Sequence, residues 1–507
     1  MLAILDRERT VAGPGFNRWL VPPAALAVHL SIGQVYAFSV FNGPLETRFG
    51  VDATPIAVIF SIGIVMLGLS AAFGGTWVER SGPRKAMALA ATCWSLGFLI
   101  AAFGISIGQL WLVYLGYGFL GGIGLGIGYI SPVSTLIKWF PDRPGLATGL
   151  AIMGFGGGAL VASPLSNRLL GVFAENPEDA LVPVFMVLGV TYAVLMGLGA
   201  YVVRVPAKDR TPKGWTPPQA SEVSSMKTTA NVSAKNAIRT PQFWLLWTVL
   251  FCNVTAGIGI LAQASPMVQD FFGSVGPAEA AGYVGLLSLA NMAGRLVWSS
   301  TSDVLGRKNT YIMYLGVGAA LYLLIALFGT VSLAVFVLLS VVILSFYGGG
   351  FATIPAYLKD LFGGYQVGAI HGRLLTAWSA AGIAGPIIVS AILDLQRGRG
   401  AEGADLYTLS LSIMVGVLVV GFVANLLVRP VDSRFHEPAS EPAPAGQLNE
   451  EENLLSSQHA PASTSPQQSG TAETAGRTAA ITLWVLVGVA LLYGVAETSV
   501  RVVRFFT

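Results

Sequence analysis

Thirteen apolar runs, each long enough to cross a lipid bilayer, follow one another along the chain with short polar breaks between them. A hydrocarbon core ~30 Å thick takes about 20 apolar residues in helical form. Inside it every backbone N–H and C=O has to be satisfied within the segment, so each run reads as an α-helix. The runs fall at roughly 19–43, 55–78, 86–106, 109–136, 146–170, 182–203, 242–266, 279–301, 309–329, 331–357, 366–393, 405–428 and 479–500. The composition agrees: 54% of residues are hydrophobic and 11% charged, against about 25% charged in a soluble domain. The 61 glycines suit helices that pack closely in lipid. The expected fold class is therefore an all-α integral membrane protein. Cys93 and Cys252 both lie inside runs and suggest neither a disulfide framework nor a metal site. Arg7, Arg9 and Arg18 precede a first run that is too long for a signal peptide and lacks a cleavage site, so no cleavable leader is expected.

Loop charge sets the orientation. Arg80, Arg84, Lys85, Lys138 and Arg143 follow the second and fourth runs, whereas Arg48 and Arg168 are the basic residues near the other side. The loop 204–240 adds Lys208, Arg210, Lys213, Lys227, Lys235 and Arg239. The positive-inside rule then predicts a cytoplasmic N-terminus and a cytoplasmic central loop. Residues 429–478, rich in Pro, Ser, Ala and Glu, read as a disordered tail. The last apolar segment, 479–507, carries Glu497, Arg501 and Arg504. It either spans once more or lies on the surface. Spanning puts its arginines outside, against the charge bias, and its length favours spanning.

The halves 1–203 and 241–428 repeat. Phe49-Gly50 recurs as Phe272-Gly273, Pro132 as Pro355 and Gly149 as Gly372, each 223 residues on; Glu79 and Gly82 recur as Asp303 and Gly306, 224 residues on. Two six-span halves of one orientation, joined by a basic loop, resemble the major facilitator superfamily, whose halves are parallel repeats with the substrate between them near the midplane. The turn carrying Glu79, Arg80, Gly82 and Arg84, with its second copy at Asp303, Gly306 and Arg307, is similar to that superfamily's loop motif, with Glu79 where Asp is usual. It either anchors topology or forms gating ion pairs.

Arg295 is the candidate with the sharpest chemistry. It lies eight residues before Asp303, about 12 Å deeper along a helix rising 1.5 Å per residue, near the middle of the bilayer. A charge there costs at least ~3 kcal/mol and marks a functional site by default. The matching first-half residue is Ala71, so the charge is not part of the repeat. No Asp or Glu falls in the interior of the first twelve runs; Glu279 and Asp405 stand at the first residue of theirs. A structural arginine wants a buried acid; the missing anion points to a substrate carboxylate, which the guanidinium fork pairs bidentately. The bland alternative is an arginine snorkelling to water or held by backbone carbonyls.

The alternating glycines of Gly122, Gly124, Gly126 and Gly128 lie in a membrane helix and lack the βαβ context of a nucleotide loop. With Tyr129 and Pro132 after them, Gln34, Tyr36 and Phe41 in the first run, and Gly154, Phe155 and Gly156 in the fifth, they resemble the oxalate/formate antiporter family, a relative of the monocarboxylate transporters. The likeness covers about 19–428. It implies that Arg295 binds the substrate carboxylate and that Tyr36, Tyr129, Tyr347 and Trp378 line the cavity. Packing against helices or lipid is the alternative for each aromatic. Gln34 either faces the pore or bonds a neighbouring helix.

Two departures bear on specificity. The oxalate member of the family has a lysine where this chain has Trp378, leaving one cation rather than two and favouring a monoanion. Proton-coupled relatives carry an aspartate one turn before the arginine; here Asn291 stands in its place and cannot carry a proton. His29 and His371 are expected to be structural or interfacial. The expected function is a secondary carrier of small carboxylate anions in a bacterial-type inner membrane, with no cofactor, no metal, no catalysis, no nucleic acid and no obligate protein partner. Its rivals are a proton-coupled monocarboxylate symporter, an exporter of hydrophobic compounds that has no need of Arg295, and a transporter-like sensor signalling through the tail. Because the repeat is complete before residue 429, removal of 430–507 is expected to leave a twelve-helix carrier.

Overall fold

The computed structural model describes residues 5–506 except 14, 208–209, 213–214, 216–225, 229 and 438–465; for 53, 262, 277–278, 466–475, 501–502 and 504–506 it describes the backbone alone. Thirteen long helical segments account for most of the described chain. In order they are α1 (Arg18–Phe49), α2 (Ala53–Ser81), α3 (Pro83–Ser106), α4 (Leu110–Trp139), α5 (Pro144–Phe173) and α6 (Pro177–Val202) in the first half. The second half holds α7 (Pro241–Phe271), α8 (Pro277–Leu305), α9 (Arg307–Phe328), α10 (Leu333–Phe362), α11 (Val367–Gly398) and α12 (Asp405–Leu427); α13 (Pro466–Phe506) follows. Among the described residues, twelve helices are long and apolar enough to cross a membrane, α13 among them. The remaining one, α8, is 29 residues long and carries Arg295. This is a multi-pass membrane protein.

The halves meet along two seams, α5 against α8 and α2 against α11. Glycine makes these close approaches: a β-carbon at Gly145 would sit 2.0 Å from the Ser299 carbonyl oxygen, and one at Gly372 would sit 2.2 Å from that of Ala71. At the end of the bundle bearing the basic loops, the sequence repeat becomes a pair of reciprocal latches. Asp303, at the end of α8, accepts hydrogen bonds from the backbone N–H of Gly145 (2.9 Å) and Leu146 (3.0 Å), which open α5 of the other half. Glu79, at the end of α2, accepts from the N–H of Gly368 (3.0 Å), which opens α11. A carboxylate over free N–H groups at a helix start is stabilising by charge and by hydrogen bonding. Lys138 pairs with Glu79 at 2.5 Å, and Arg307 with Asp303 at 2.5 Å and Asp360 at 3.2 Å. Lys359 crosses the seam to the Pro141 carbonyl at 3.2 Å. Gly82 and Gly306 both turn at φ near +80°, a region that only glycine enters freely, and so place the latch acids. Arg84 instead donates to the carbonyls of Ala200, Tyr201 and Val203 at the end of α6, and Arg80 is exposed. The motif's gating reading therefore rests on Glu79, Asp303 and Arg307.

Near the same end, Arg18 forks onto Asp142 at 2.7 and 3.0 Å. Burial alone pushes the Asp142 carboxyl up, but the hydrogen bond and charge of Arg18 outweigh it and hold the group below the usual carboxylate range.

Two boundaries differ from the sequence reading. The last helix starts at Pro466 rather than 479, because hydropathy marks only its apolar part whereas the backbone stays helical through the polar residues before it. The tail expected to be disordered is ordered at its beginning: Glu437 donates its N–H to Asn231 and its carboxylate accepts from Ser233 N–H and Asn236 of the central loop. The middle of that tail, together with Lys208 and Lys213, lies outside the described residues. The helix α13 also packs into the bundle, against α1, α5, α6 and α8, with Ala480, Leu483 and Val487 buried. A helix so placed is more than the appendage that the repeat alone implies.

Replacing Asp303 with Asn removes the charge but keeps the shape of its latch. A capping charge contributes about 1 kcal/mol, so the amides of Gly145 and Leu146 should exchange with solvent roughly five-fold faster in Asp303→Asn. Hydrogen-exchange mass spectrometry over 144–150 reads this out, and an unchanged rate would show that the latch bears no load.

Candidate functional site

Arg295 is fully buried, halfway along α8. Its Nε donates to Asn291 Oδ1 at 3.2 Å one turn earlier, and Nη1 reaches the Ile152 carbonyl of α5 at 3.4 Å. Nη2 is buried without a hydrogen-bond partner. No ion pair of Arg295 occurs among the described residues. The guanidinium sits between two rings, 5.1 Å from the Phe351 centroid and 5.8 Å from that of Phe155. Such cation–π contacts stabilise a desolvated guanidinium by about 2 kcal/mol but leave its N–H groups unsatisfied. Gly156 makes the room: a β-carbon there would stand 2.8 Å from Arg295 Nε.

The four aromatic residues singled out in the sequence converge here. Trp378 of α11 is the hub, with ring centroids 4.6 Å from Phe351, 5.3 Å from both Phe155 and Tyr129, and 6.3 Å from Tyr36. Tyr347 packs on Phe351 at 5.3 Å. The hydroxyls of Tyr36, Tyr129 and Tyr347 and the Trp378 indole N–H are all buried, and among the described residues none has a partner at ordinary hydrogen-bond geometry; Tyr36 makes only weak, longer contacts with Tyr347, Arg295 and Trp378, and Tyr129 with Arg295. They nonetheless lie within electrostatic reach of one another and of Arg295. Five unsatisfied polar groups from both halves thus face one small region. Buried polar groups are otherwise almost always paired, so this is a set of donors awaiting an acceptor.

Local structure explains the placement. Tyr36 sits in a 3-10 stretch, Gly33–Phe41, in the middle of α1. Such a stretch within a long helix often marks functional strain. Gly33 lies hard against α5, where a β-carbon would meet the Phe155 carbonyl oxygen at 2.4 Å. Gly257 of α7 makes space for Tyr347, whose ring a β-carbon would meet at 2.2 Å. The π-helical turn Tyr114–Leu120 precedes the part of α4 bearing Tyr129.

Other residues fall elsewhere. Gln34 is tied into the first half through its Oε1, which accepts from Tyr117 at 3.0 Å, as the interhelical alternative has it, while its Nε2 is buried without a hydrogen-bond partner among the described residues. Asn291 is a partner of Arg295, as its position one turn away suggests. His29 and His371 are both buried beside Tyr129, at 5.2 and 5.8 Å between rings, and His29 Nε2 meets the Tyr129 carbonyl oxygen at 3.1 Å. Phe155 and Phe351 are not singled out as site residues by the sequence; Phe155 figures only in the Gly154-Phe155-Gly156 segment of the family likeness, and Phe351 is marked only by its adjacency to Gly348–Gly350.

Against known families, residues 24–386 match the Major Facilitator Superfamily model. The chain belongs to the Major Facilitator Superfamily. It is similar to the oxalate:formate antiporter of Oxalobacter formigenes, 27% identical over 419 residues that cover 82% of this chain and 93% of that protein. It is 31% identical over 165 residues to human monocarboxylate transporter 11, covering 32% of this chain and 34% of that one. The fold matches that of the Escherichia coli fucose:proton symporter with a TM-score of 0.60 at 15% identity, over 81% of this chain and 99% of that chain. The protein is a superfamily transporter.

Gly156→Ala should move Arg295 without unfolding the bundle, because the two nearest atoms, Arg295 Nε at 2.8 Å and Cδ at 3.0 Å, belong to a flexible side chain and the Met292 Cα at 3.3 Å need give only a few tenths of an ångström. The expected outcome is an unchanged melting temperature in the absence of ligand and loss of the thermal shift given by small carboxylates. A shift equal to the wild type would place recognition elsewhere.

Proposed function

We propose that this transporter carries small organic monocarboxylates across a bacterial inner membrane by alternating access, exchanging one anion for another. The observation that carries the reading is the state of Arg295: a buried cation with no acidic partner, one unpaired nitrogen, and four neutral donors around it. An unpaired charge in low dielectric is costly, and a bound carboxylate removes that cost while satisfying the donors. In this reading Arg295 grips the carboxylate, Tyr36, Tyr129, Tyr347 and Trp378 donate to its oxygens, and Asn291 orients the guanidinium. Phe155 and Phe351 keep the site dry. The latches of Glu79 and Asp303 close the end bearing the basic loops, which is the cytoplasmic end by loop charge, with the N-terminus on that side.

The likeness to an oxalate:formate antiporter and to a monocarboxylate transporter supports a carboxylate substrate. Trp378, uncharged, supports a monoanion over oxalate, because a second negative charge would find no second cation. Asn291, which does not titrate, supports exchange over proton symport. Reorientation of the empty site would drag an unpaired charge through the apolar barrier, whereas the anion-loaded site is neutral.

Proteoliposomes preloaded with formate, acetate, lactate or glyoxylate should take up labelled monocarboxylate faster than empty ones. Arg295→Lys should cut that uptake at least ten-fold although it keeps the charge, since ammonium lacks the planar fork. Trp378→Lys should shift preference toward oxalate. Uptake into unloaded vesicles that climbs steeply with an inward proton gradient would replace exchange by symport, and near-normal Arg295→Lys uptake would remove Arg295 from the site.

A further inference from the structure

The helix α13 lies outside the repeat, yet it touches the turn of the bundle that carries Arg295. Its inner stripe is Ala480, Leu483, Val487, Leu491, Gly494 and Thr498, spaced three or four residues apart as one helix face requires. This stripe fills the gap between α5 and α8 beyond the point where the two helices touch directly. At Gly145, Gly149 and Gly156, α5 rests on Ser299 and Arg295 of α8 itself. From Gly157 onward α13 enters between them. A β-carbon at Gly157 would meet Met292 Sδ at 2.7 Å and Leu491 Cδ2 at 3.1 Å. One at Gly494 would meet the Leu160 carbonyl oxygen of α5 at 2.9 Å, and one at Gly285 of α8 would meet Thr498 at 3.0 Å. Beyond these contacts, Arg168 of α5 pairs with Glu497 and lies 5.2 Å from the Tyr493 ring. At the opposite end, Trp484 Nε1 donates to the Trp19 carbonyl at 2.9 Å.

The point of contact is mechanically weak. Gly156, Gly157 and Gly158 form three consecutive glycines inside α5. Each is worse than alanine in a helix by about 1 kcal/mol and offers no side chain to hold its neighbours. What presses on this segment therefore sets its position. On one side Gly158 rests on the Gly33 backbone of α1. On the other, Met292 and Leu491 converge on Gly157 while the Arg295 stem lies on Gly156. Met292 stands between Asn291, which accepts from Arg295 Nε, and Arg295 itself on α8. Without Leu491 this flank would face mobile acyl chains.

We propose that Leu491 is a positioning residue of the substrate site: α13 braces Gly157 and Met292, and through them fixes Arg295 where a carboxylate can be gripped. The proposal rests on the carboxylate reading given above and adds that recognition depends on a helix beyond the twelve of the repeat.

The test uses full-length protein in proteoliposomes and follows exchange of labelled formate, acetate, lactate and glyoxylate. Leu491→Ala should raise KM for the exchanged anion at least five-fold with the maximal rate within about two-fold of wild type. Leu491→Met, which conserves volume, should restore the wild-type KM. Val489→Ala, on the outer face of α13 where Val489 is 61% exposed, should change neither constant. Gly494→Ala, which pushes α13 away from the Leu160 carbonyl, should reproduce the rise in KM independently and serves if Leu491→Ala does not fold. A lower maximal rate with unchanged KM in Leu491→Ala or Gly494→Ala would mean that α13 supports only stability and would overturn the proposal. No exchange of any of the four anions by the wild type would instead overturn the carboxylate reading.

Discussion

A fixed positive charge in the middle of an apolar bundle is the constraint on which the rest of this structure turns. Lipid cannot solvate it, and no carboxylate has been placed beside it. The protein meets part of the cost locally, with one amide oxygen from Asn291, one backbone carbonyl from Ile152 and two aromatic faces. The remainder is left open, at Nη2 and at the four donors around it. An internal salt bridge would have made Arg295 quieter and the protein more stable, but would have left no reason for an anion to enter. The residual polarity is what distinguishes a binding site from a packed core of the same residues.

The other features serve that exposed demand for an anion. Glycines at Gly33, Gly156 and Gly257 let backbone come close enough for large side chains to surround the guanidinium from both halves. Trp378 and the two phenylalanines pack around the guanidinium, and in the proposed reading they keep water from satisfying the donors and screening the charge. The latches at the basic end keep the α5–α8 and α2–α11 seams shut beneath it. Thus Gly145 and Asp303, far from the guanidinium along α5 and α8, lie on the same pair of helices as Arg295, and in the proposed reading access and affinity are coupled along that pair.

Much of this could be read from the residues. Helices such as Pro83–Ser106 and Asp405–Leu427 lie within a few residues of the runs at 86–106 and 405–428, because a bilayer-length apolar stretch has one stable form. Arg295 stood out as a charge where charge is expensive. Phe155 and Phe351 did not, since a phenylalanine in a membrane helix is one of 26 alike in composition and carries no mark of what lies across from it. For Gln34 the residues left two alternatives open, because its partner, Tyr117, comes from α4 and nothing local to Gln34 reveals it. The reach of α13 to Pro466 escaped hydropathy because a helix continues past the point where lipid requires it.

The latches have a consequence for how such a protein can vary. In each, the acceptor is a side chain, Glu79 or Asp303, but the donor is main chain, at Gly368 or at Gly145 and Leu146. A backbone N–H survives every substitution except proline. The donor half is constrained by space instead: a β-carbon at Gly145 would sit 2.0 Å from the Ser299 carbonyl oxygen, and one at Gly368 would sit 2.5 Å from Glu79 Oε1. Drift can therefore silence a latch from either side, by loss of the acid or by any side chain where only glycine fits, and a lineage keeps the contact only while both the carboxylate and the facing glycine persist.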